Sequence, residues 1–201
     1  GYEPLLRWDR TGRNVVPGIA EGWETKDDAR TFVFPLRKGM RWSDGHPVTS
    51  EDFLFTYENF WLDDYLTPIK PQWLTSGDTF VKIEAPDPYT VVMRFAAPFG
   101  NFPYCLAFYS QESSGIFSPK HYLKQFHPKF VPEPELLKKA RVEGGVTWQD
   151  YYGQKANLEK NPDLPTVNAF RIVTPFPANR CLAERNPYYW KVDPAGNQLP
   201  Y

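Results

Sequence analysis

The sequence has few of the residues on which metal and redox chemistry depend. Only two cysteines occur among 201 residues, Cys105 and Cys181, and they are far apart. Neither belongs to a CxxC pair or to a Cys/His pattern with metal-ligand spacing, which excludes the common zinc-site patterns. The two cysteines could form a disulfide in an exported protein, or they could be two buried thiols, the more frequent outcome for such a pair.

Long apolar runs and an excess of charge are also missing. No stretch approaches the roughly 20 apolar residues that a membrane-spanning helix requires. The 23 basic and 24 acidic side chains leave a formal net charge of -1. With a net charge so close to zero, the chain has no excess of positive charge that could bind a phosphate backbone. Nucleic acid is therefore not an expected partner.

Motifs for catalysis and for nucleotide binding are absent as well. The sequence contains no G-x-S-x-G elbow and no glycine pattern for phosphates or dinucleotides. Its three histidines, His46, His121 and His127, lie in predicted turns or at predicted helix ends, where solvated or capping roles are more common than catalysis. Carboxylate pairs such as Asp63 and Asp64 are sequence neighbours, which does not establish the separation that glycosidases need. We predict no enzymatic activity, catalytic residue, metal or cofactor.

Aromatic residues and proline, in contrast, are abundant. The chain has 7 Trp, 12 Tyr and 15 Phe, together 17% of its residues, and 21 Pro. Most of the rings are expected in a core interrupted by turns, but some could line a wet groove that takes sugars or peptides. The irregular segment from Leu62 to Asp78 is the best candidate for such a groove.

Hydrophobic periodicity predicts an α/β fold with a mixed, largely antiparallel sheet and peripheral helices. Phe32, Phe34 and Leu36 alternate with other residues at the period of a strand, and Pro35 suggests an edge or a bulge there. Turn residues separate paired strands. The predicted strand pairs are 5–9 with 14–16, 22–26 with 31–36, 80–84 with 90–95, and 169–173 with 181–185.

Four helices are predicted from residues that are typical of helix starts and stops. Thr49 and Asp52 form a capping box before a helix whose buried face carries Phe53, Tyr57, Phe60 and Trp61. The other three helices are predicted at 118–126, 134–143 and 147–157, each with its own start or stop residues.

The sequence contains two landmarks. The first consists of Ala20-Glu21-Gly22-Trp23, then Thr31-Phe32-Val33-Phe34-Pro35-Leu36-Arg37-Lys38-Gly39, then Arg41-Trp42-Ser43-Asp44-Gly45-His46-Pro47-Val48-Thr49, and then Glu51-Asp52-Phe53. The second is Arg185-Asn186-Pro187-Tyr188-Tyr189-Trp190. Together they resemble the signature of the family 5 extracellular solute-binding proteins, the oligopeptide, dipeptide and nickel-type binding components of ABC importers. Their order and spacing make chance agreement improbable, and they bracket nearly the entire chain.

The resemblance implies part of the first lobe of a two-lobed, type II periplasmic-binding-protein-like fold. Residues 1–162 would be the small subdomain of that lobe, and 163–201 the first strands of the return into its main part, with the second lobe absent from this fragment. The motif around Trp42 is expected to be a folding element, in which Asp44 and Gly45 make a turn over the indole.

The function that the resemblance implies is transport. The protein would capture peptides or oligosaccharides outside the cytoplasmic membrane, in the periplasm or anchored by lipid, and deliver them to a membrane permease. Within this framework the segment from Leu62 to Asp78 would contact ligand, and we predict Tyr65 and Trp73 as the stacking residues. The strands after Asn168 would lack their sheet neighbours, so self-association through that edge is also predicted.

Two other functional classes fit the composition. A secreted carbohydrate-binding module would suit the ring content, and a glycoside-active enzyme could use two of the scattered carboxylates. The order of the landmarks favours transport over both.

Overall fold

The chain folds as two compact units, each of which is described by itself. The computed structural model describes residues 3–109 and 115–200. One unit consists of Gly1–Gly39 and Thr49–Ser118, and the other of Met40–Val48 and Pro119–Tyr201. The predicted subdomain boundary near residue 162 stays a prediction.

The first unit is built on an antiparallel sheet, in agreement with the predicted fold class. Its four-stranded sheet has the order β3-β4-β8-β7, and two hairpins, β1-β2 and β5-β6, accompany it. The strands are β1 Leu6–Trp8, β2 Val15–Pro17, β3 Glu24–Lys26, β4 Thr31–Pro35, β5 Thr75–Ser76, β6 Thr79–Phe80, β7 Lys82–Asp87 and β8 Thr90–Arg94.

The alternation in β4 places phenylalanines in the core. Phe32 and Phe34 are fully buried, and the ring of Phe32 lies 5.0 Å from that of Phe102. Pro35 is not on an edge strand, because β4 pairs with both β3 and β8. Pro35 ends the strand and lies beyond the last residue that pairs with β3, so its missing N–H does not interrupt that ladder.

The helix that begins after Thr49 changes its winding part way along. Helix α1, Ser50–Thr56, has the predicted capping box and continues as a π-helix over Tyr57–Trp61. The wider turn shifts the buried face, so Phe53, Phe55 and Trp61 are buried, whereas Tyr57 and Phe60 are only partly buried.

A further helix in this unit was not predicted. Helix α2, Phe102–Tyr109, has the sequence FPYCLAFY, which is apolar on every side and contains a proline in its first turn. Such a segment has no amphipathic period to reveal it.

The second unit contains the remaining helices and one hairpin. Its elements are α3 Lys120–Leu123, a 3-10 turn Lys124–Phe126, α4 Glu133–Val142, α5 Trp148–Lys155, β9 Phe170–Ile172 and β10 Ala183–Arg185. All of them lie within or close to the predicted ranges. Of the solvated and capping roles expected of the histidines, His127 does not have the solvated one, because it is 1% exposed and packs edge-on against Trp148 and Tyr152. It is the C-cap residue of the 3-10 turn.

The two family landmarks meet within this second unit. The Trp42 carbonyl accepts the Gly45 N–H at 2.8 Å, and the side chain of Asp44 accepts the His46 N–H, which closes the predicted turn. The Ser43 N–H donates to the Thr166 carbonyl at 2.8 Å. Buried Asn186, from the second landmark, donates to the Asn168 carbonyl at 2.9 Å and thereby fixes the segment that holds the turn.

Both cysteines are free thiols, so the disulfide alternative is wrong. Cys105 is partly buried and Cys181 is exposed, which also differs from the expected pair of buried thiols. None of the helices in the described part of the chain has the length and apolar character needed to cross a bilayer.

Candidate functional site

The segment from Leu62 to Asp78, predicted as an irregular loop, has defined local structure. Its first half is a turn organised by Asp63, whose carboxylate accepts the N–H groups of Tyr65 at 2.9 Å and Leu66 at 3.0 Å. The Thr67 hydroxyl donates to the Phe60 carbonyl at 2.7 Å and ties the turn to the preceding helix. The backbone of this half is therefore held in place from two directions.

The side chains on this turn point into solvent. Tyr65 is 78% exposed and Ile69 is 85% exposed. The Lys70 ammonium lies beside them and donates to Asp64 at 3.0 Å and to the Thr67 carbonyl at 2.8 Å. The turn thus presents one tyrosine ring and one aliphatic side chain on a braced backbone.

The second half carries Trp73. A 3-10 turn, Gln72–Leu74, leads into the β5-β6 hairpin, which reverses at Gly77 with a φ of 61°. Leu74 is fully buried and anchors the turn. The partly buried ring of Trp73 packs edge-on against Trp61 at 6.4 Å, so its orientation is set by the core.

The side chains of this segment are suited to binding a ligand through van der Waals contact and aromatic stacking. Aromatic side chains beside polar backbone suit sugar rings and peptide side chains. Within residues 3–109 and 115–200, no group of three or more His, Cys, Asp or Glu side chains is arranged to hold a metal ion. The structure thus gives Tyr65 an accessible ring and Trp73 an oriented one.

A second cluster, which sequence reasoning did not identify, surrounds the turn at Asp44. Asp44 bonds to Nε2 of His121 at 2.7 Å, and the His121 ring stacks on His46 with centroids 4.0 Å apart. Burial and then the neighbouring His121 lower the pKa of His46 below its ordinary value. The signal in the sequence was weak because the two histidines are 75 residues apart and only the fold joins them.

The chain is similar to one family of known proteins over nearly its full length. The family model described as "Bacterial extracellular solute-binding proteins, family 5 Middle" matches residues 14–201. A periplasmic alpha-galactoside-binding protein from Rhizobium meliloti is 32% identical over 201 residues, which cover 98% of this chain and 26% of that protein.

Solved structures agree with the sequence comparison. A structure of the oligopeptide-binding protein OppA is 40% identical, has a TM-score of 0.91, and is matched over 99% of this chain and 30% of its own length. The periplasmic binding protein MelB from Agrobacterium fabrum, in complex with stachyose, is 27% identical with a TM-score of 0.75, over 99% of this chain and 28% of its own. The chain therefore spans less than a third of the length of these relatives, and it has the fold of the corresponding part of a type II periplasmic binding protein.

Proposed function

We propose, since this chain belongs to the bacterial extracellular solute-binding proteins of family 5, that it is part of the binding component of an ABC importer. The observation that carries the proposal is the match to OppA over 99% of the chain at a TM-score of 0.91. The protein would capture its cargo outside the cytoplasmic membrane, in the periplasm or anchored by lipid, and pass it to a membrane permease. It would do so as a binding protein, without catalytic turnover.

The proposed cargo is a peptide or an oligosaccharide. One relative is named for oligopeptides, another for alpha-galactosides, and a third was solved with stachyose. Both ligand classes combine apolar faces with many hydrogen-bonding groups, and both suit aromatic side chains placed beside polar backbone.

Tyr65 and Trp73 are the proposed ligand contacts. Tyr65 is 78% exposed, on a backbone that Asp63 and Thr67 hold in place. Trp73 is oriented by Trp61, so little rotamer freedom remains to be lost when a ligand stacks on it. A rigid ring that does not need to be ordered on binding favours affinity.

Calorimetry and NMR titration of the 201-residue chain with stachyose, and separately with short peptides, test this proposal. We expect feeble binding, weaker than micromolar, because a cleft of this class closes from two sides and the chain spans only a part of its relatives. Tyr65→Ala is expected to weaken that binding severalfold without loss of fold, since the side chain is exposed.

Tyr104→Ala is the matched control, because Tyr104 is an exposed tyrosine on α2, outside the segment from Leu62 to Asp78. Equal affinity of the Tyr65→Ala variant and the parent chain would show that Tyr65 does not contact the ligand. A micromolar or tighter constant for the parent chain would contradict the partial-cleft proposal, and hydrolysis of stachyose would contradict a purely binding role.

A further inference from the structure

A groove of about 490 Å³ runs along the exposed side of α5 in the second unit. Gln149 and Gly153 lie one turn apart on α5, Asn157 follows the end of that helix, and Gly145 and Val146 from the α4-α5 connection also line the groove. Lys160 lines the end beyond the helix. A volume of this size falls in the range of small-molecule and peptide pockets.

Gly153 leaves a notch in this groove, because it lines the groove without a side chain. A glycine within a helix costs up to about 1 kcal/mol relative to alanine, so it calls for a reason. Packing does not supply one, because a Cβ at Gly153 would meet no atom within 4 Å. The neighbouring glycines differ: Gly144 ends α4 with a φ of 82°, and a Cβ at Gly145 would lie 3.4 Å from the Ala140 carbonyl oxygen.

The polar groups of the groove are arranged with donors at one end. The side-chain oxygen of Asn157 already accepts the N–H groups of Glu159 at 2.9 Å and Lys160 at 3.1 Å, so that amide can only donate to a ligand. The Lys160 ammonium forms no ion pair among the described residues, and it adds a positive charge at the same end. The carboxylate that lines the groove, Asp150, lies near the start of α5 and accepts two hydrogen bonds from Thr147.

We propose that this notched face of α5 binds the carboxyl-terminal end of a short peptide, at a site separate from the segment between Leu62 and Asp78. The terminal carboxylate would lie between Asn157 and Lys160 and accept hydrogen bonds from both. The peptide backbone would cross Gly153, where no side chain keeps it away. The side-chain amides of Gln149 and Gln154 can each donate to and accept from a peptide group. No aromatic ring lines the groove, which favours a peptide over a sugar.

Amide NMR of the 201-residue chain during titration with tetra-alanine tests the site. We expect a cluster of shifts among amides between Gly144 and Lys160, distinct from any shifts at residues 62–78, which report the transport-ligand site. Tetra-alanine with an amidated carboxyl end should bind about tenfold more weakly or worse, and Lys160→Gln should produce the same loss, because a charged hydrogen bond is removed in each case. Gly153→Leu should abolish binding by filling the notch, while leucine's helix propensity maintains α5.

Two matched controls accompany these variants. Gly100→Leu makes the same change at another glycine whose Cβ would meet no atom within 4 Å, and Lys138→Gln removes an exposed charge on α4. Both should leave the shifts between Gly144 and Lys160 unchanged. Tyr65→Ala should also leave those shifts unchanged, although it tests the transport-ligand proposal at residues 62–78. The proposal would be overturned by no shifts between Gly144 and Lys160 at millimolar peptide, by shifts there that Gly153→Leu does not alter, or by equal binding of the amidated peptide there.

Discussion

At the scale of single residues, Phe53 shows how much one side chain of α1 contributes to stability. It is fully buried, and its ring stacks on Phe117 with centroids 4.7 Å apart. We expect Phe53→Ala to lower the free energy of unfolding by about 3–5 kcal/mol, because it removes a buried ring and leaves a cavity. Urea denaturation followed by tryptophan fluorescence measures the loss.

Phe108→Ala serves as the control for this substitution, because Phe108 is 61% exposed on α2. It should change the free energy of unfolding by less than about 1 kcal/mol. A loss of that small size for Phe53→Ala would instead show that its helix face contributes little to the core.

Because of His46, we expect the stability of the fold to depend on pH in the mildly acidic range. Its pKa in the folded chain is lowered by burial, by His121 and by Lys124, against an opposing effect of Asp44. The unfolded chain therefore takes up the proton first, and stability falls as the pH drops through about 6.5. We expect the melting temperature to decrease from pH 7.5 to pH 5.5, and this decrease to be smaller in His46→Phe, which keeps a ring but cannot titrate.

Two carboxylates with a lowered pKa, Glu143 and Asp150, act in a different pH window and do not contribute to this slope. Hydrogen bonds from Lys155 and Thr147 lower the pKa of Glu143 and Asp150, respectively. The stability contributed by those carboxylates is lost only as the pH falls below about 4.5. An identical slope between pH 7.5 and pH 5.5 in His46→Phe and the parent would show that another group titrates there.

At the scale of elements, local signals predicted most of the helices and hairpins. The capping box of Thr147 and Asp150 is present at the start of α5, and β7 and β8 pair across their predicted turn. These features depend on residues a few positions apart, which a sequence displays directly. Helix α2 and the π-helix after Thr56 escaped prediction because packing, rather than an amphipathic period, determines them.

The contact between Gly45 and Tyr188 yields a prediction about the turn at Asp44. Gly45 has a φ of 89°, and a Cβ there would lie 3.1 Å from the Tyr188 ring. Gly45→Ala is therefore expected to combine backbone strain with a steric clash, and to lower the free energy of unfolding by about 2–4 kcal/mol. Thermal and urea denaturation both report this loss.

Gly196→Ala separates the two causes. Gly196 has a nearly equal φ of 86°, but a Cβ there would meet nothing within 4 Å, so only backbone strain applies. The larger loss should belong to Gly45→Ala, and Tyr188→Ala in the same chain should recover part of it. Equal losses at the two glycines would mean that the Tyr188 ring moves aside without cost.

At the scale of the whole molecule, the β9-β10 hairpin leads to a prediction about self-association and hydrogen exchange of the 201-residue chain. The hairpin has two strands, and Phe170 and Leu182 on or beside them are exposed. Open strand edges with apolar side chains recruit other strands. We expect either concentration-dependent self-association in sedimentation, or fast hydrogen exchange over residues 169–201. A strictly monomeric chain with protected amides from Phe170 to Arg185 would contradict both.

The candidate site could be predicted only in part, for a physical reason. The segment from Leu62 to Asp78 was identified from its aromatic content, but its turn and hairpin depend on hydrogen bonds to Phe60 and Ala97, which lie outside it. The stacked His46 and His121 were not predicted as a site, because only tertiary structure brings them together. The notch at Gly153 was not predicted, because the sequence does not show that the side of α5 carrying Gly153 is open.

The discontinuity of the second unit has a consequence for how the molecule is made. Ser43 pairs with Thr166, 123 residues further along the chain. At about 5–20 residues per second, a ribosome needs roughly 6–25 s to synthesise that interval. Trp42, fully buried in the finished molecule, belongs to a unit whose remaining residues begin only at Pro119, so it lacks those packing partners for most of that time. During synthesis this tryptophan is an accessible apolar side chain that a chaperone can bind.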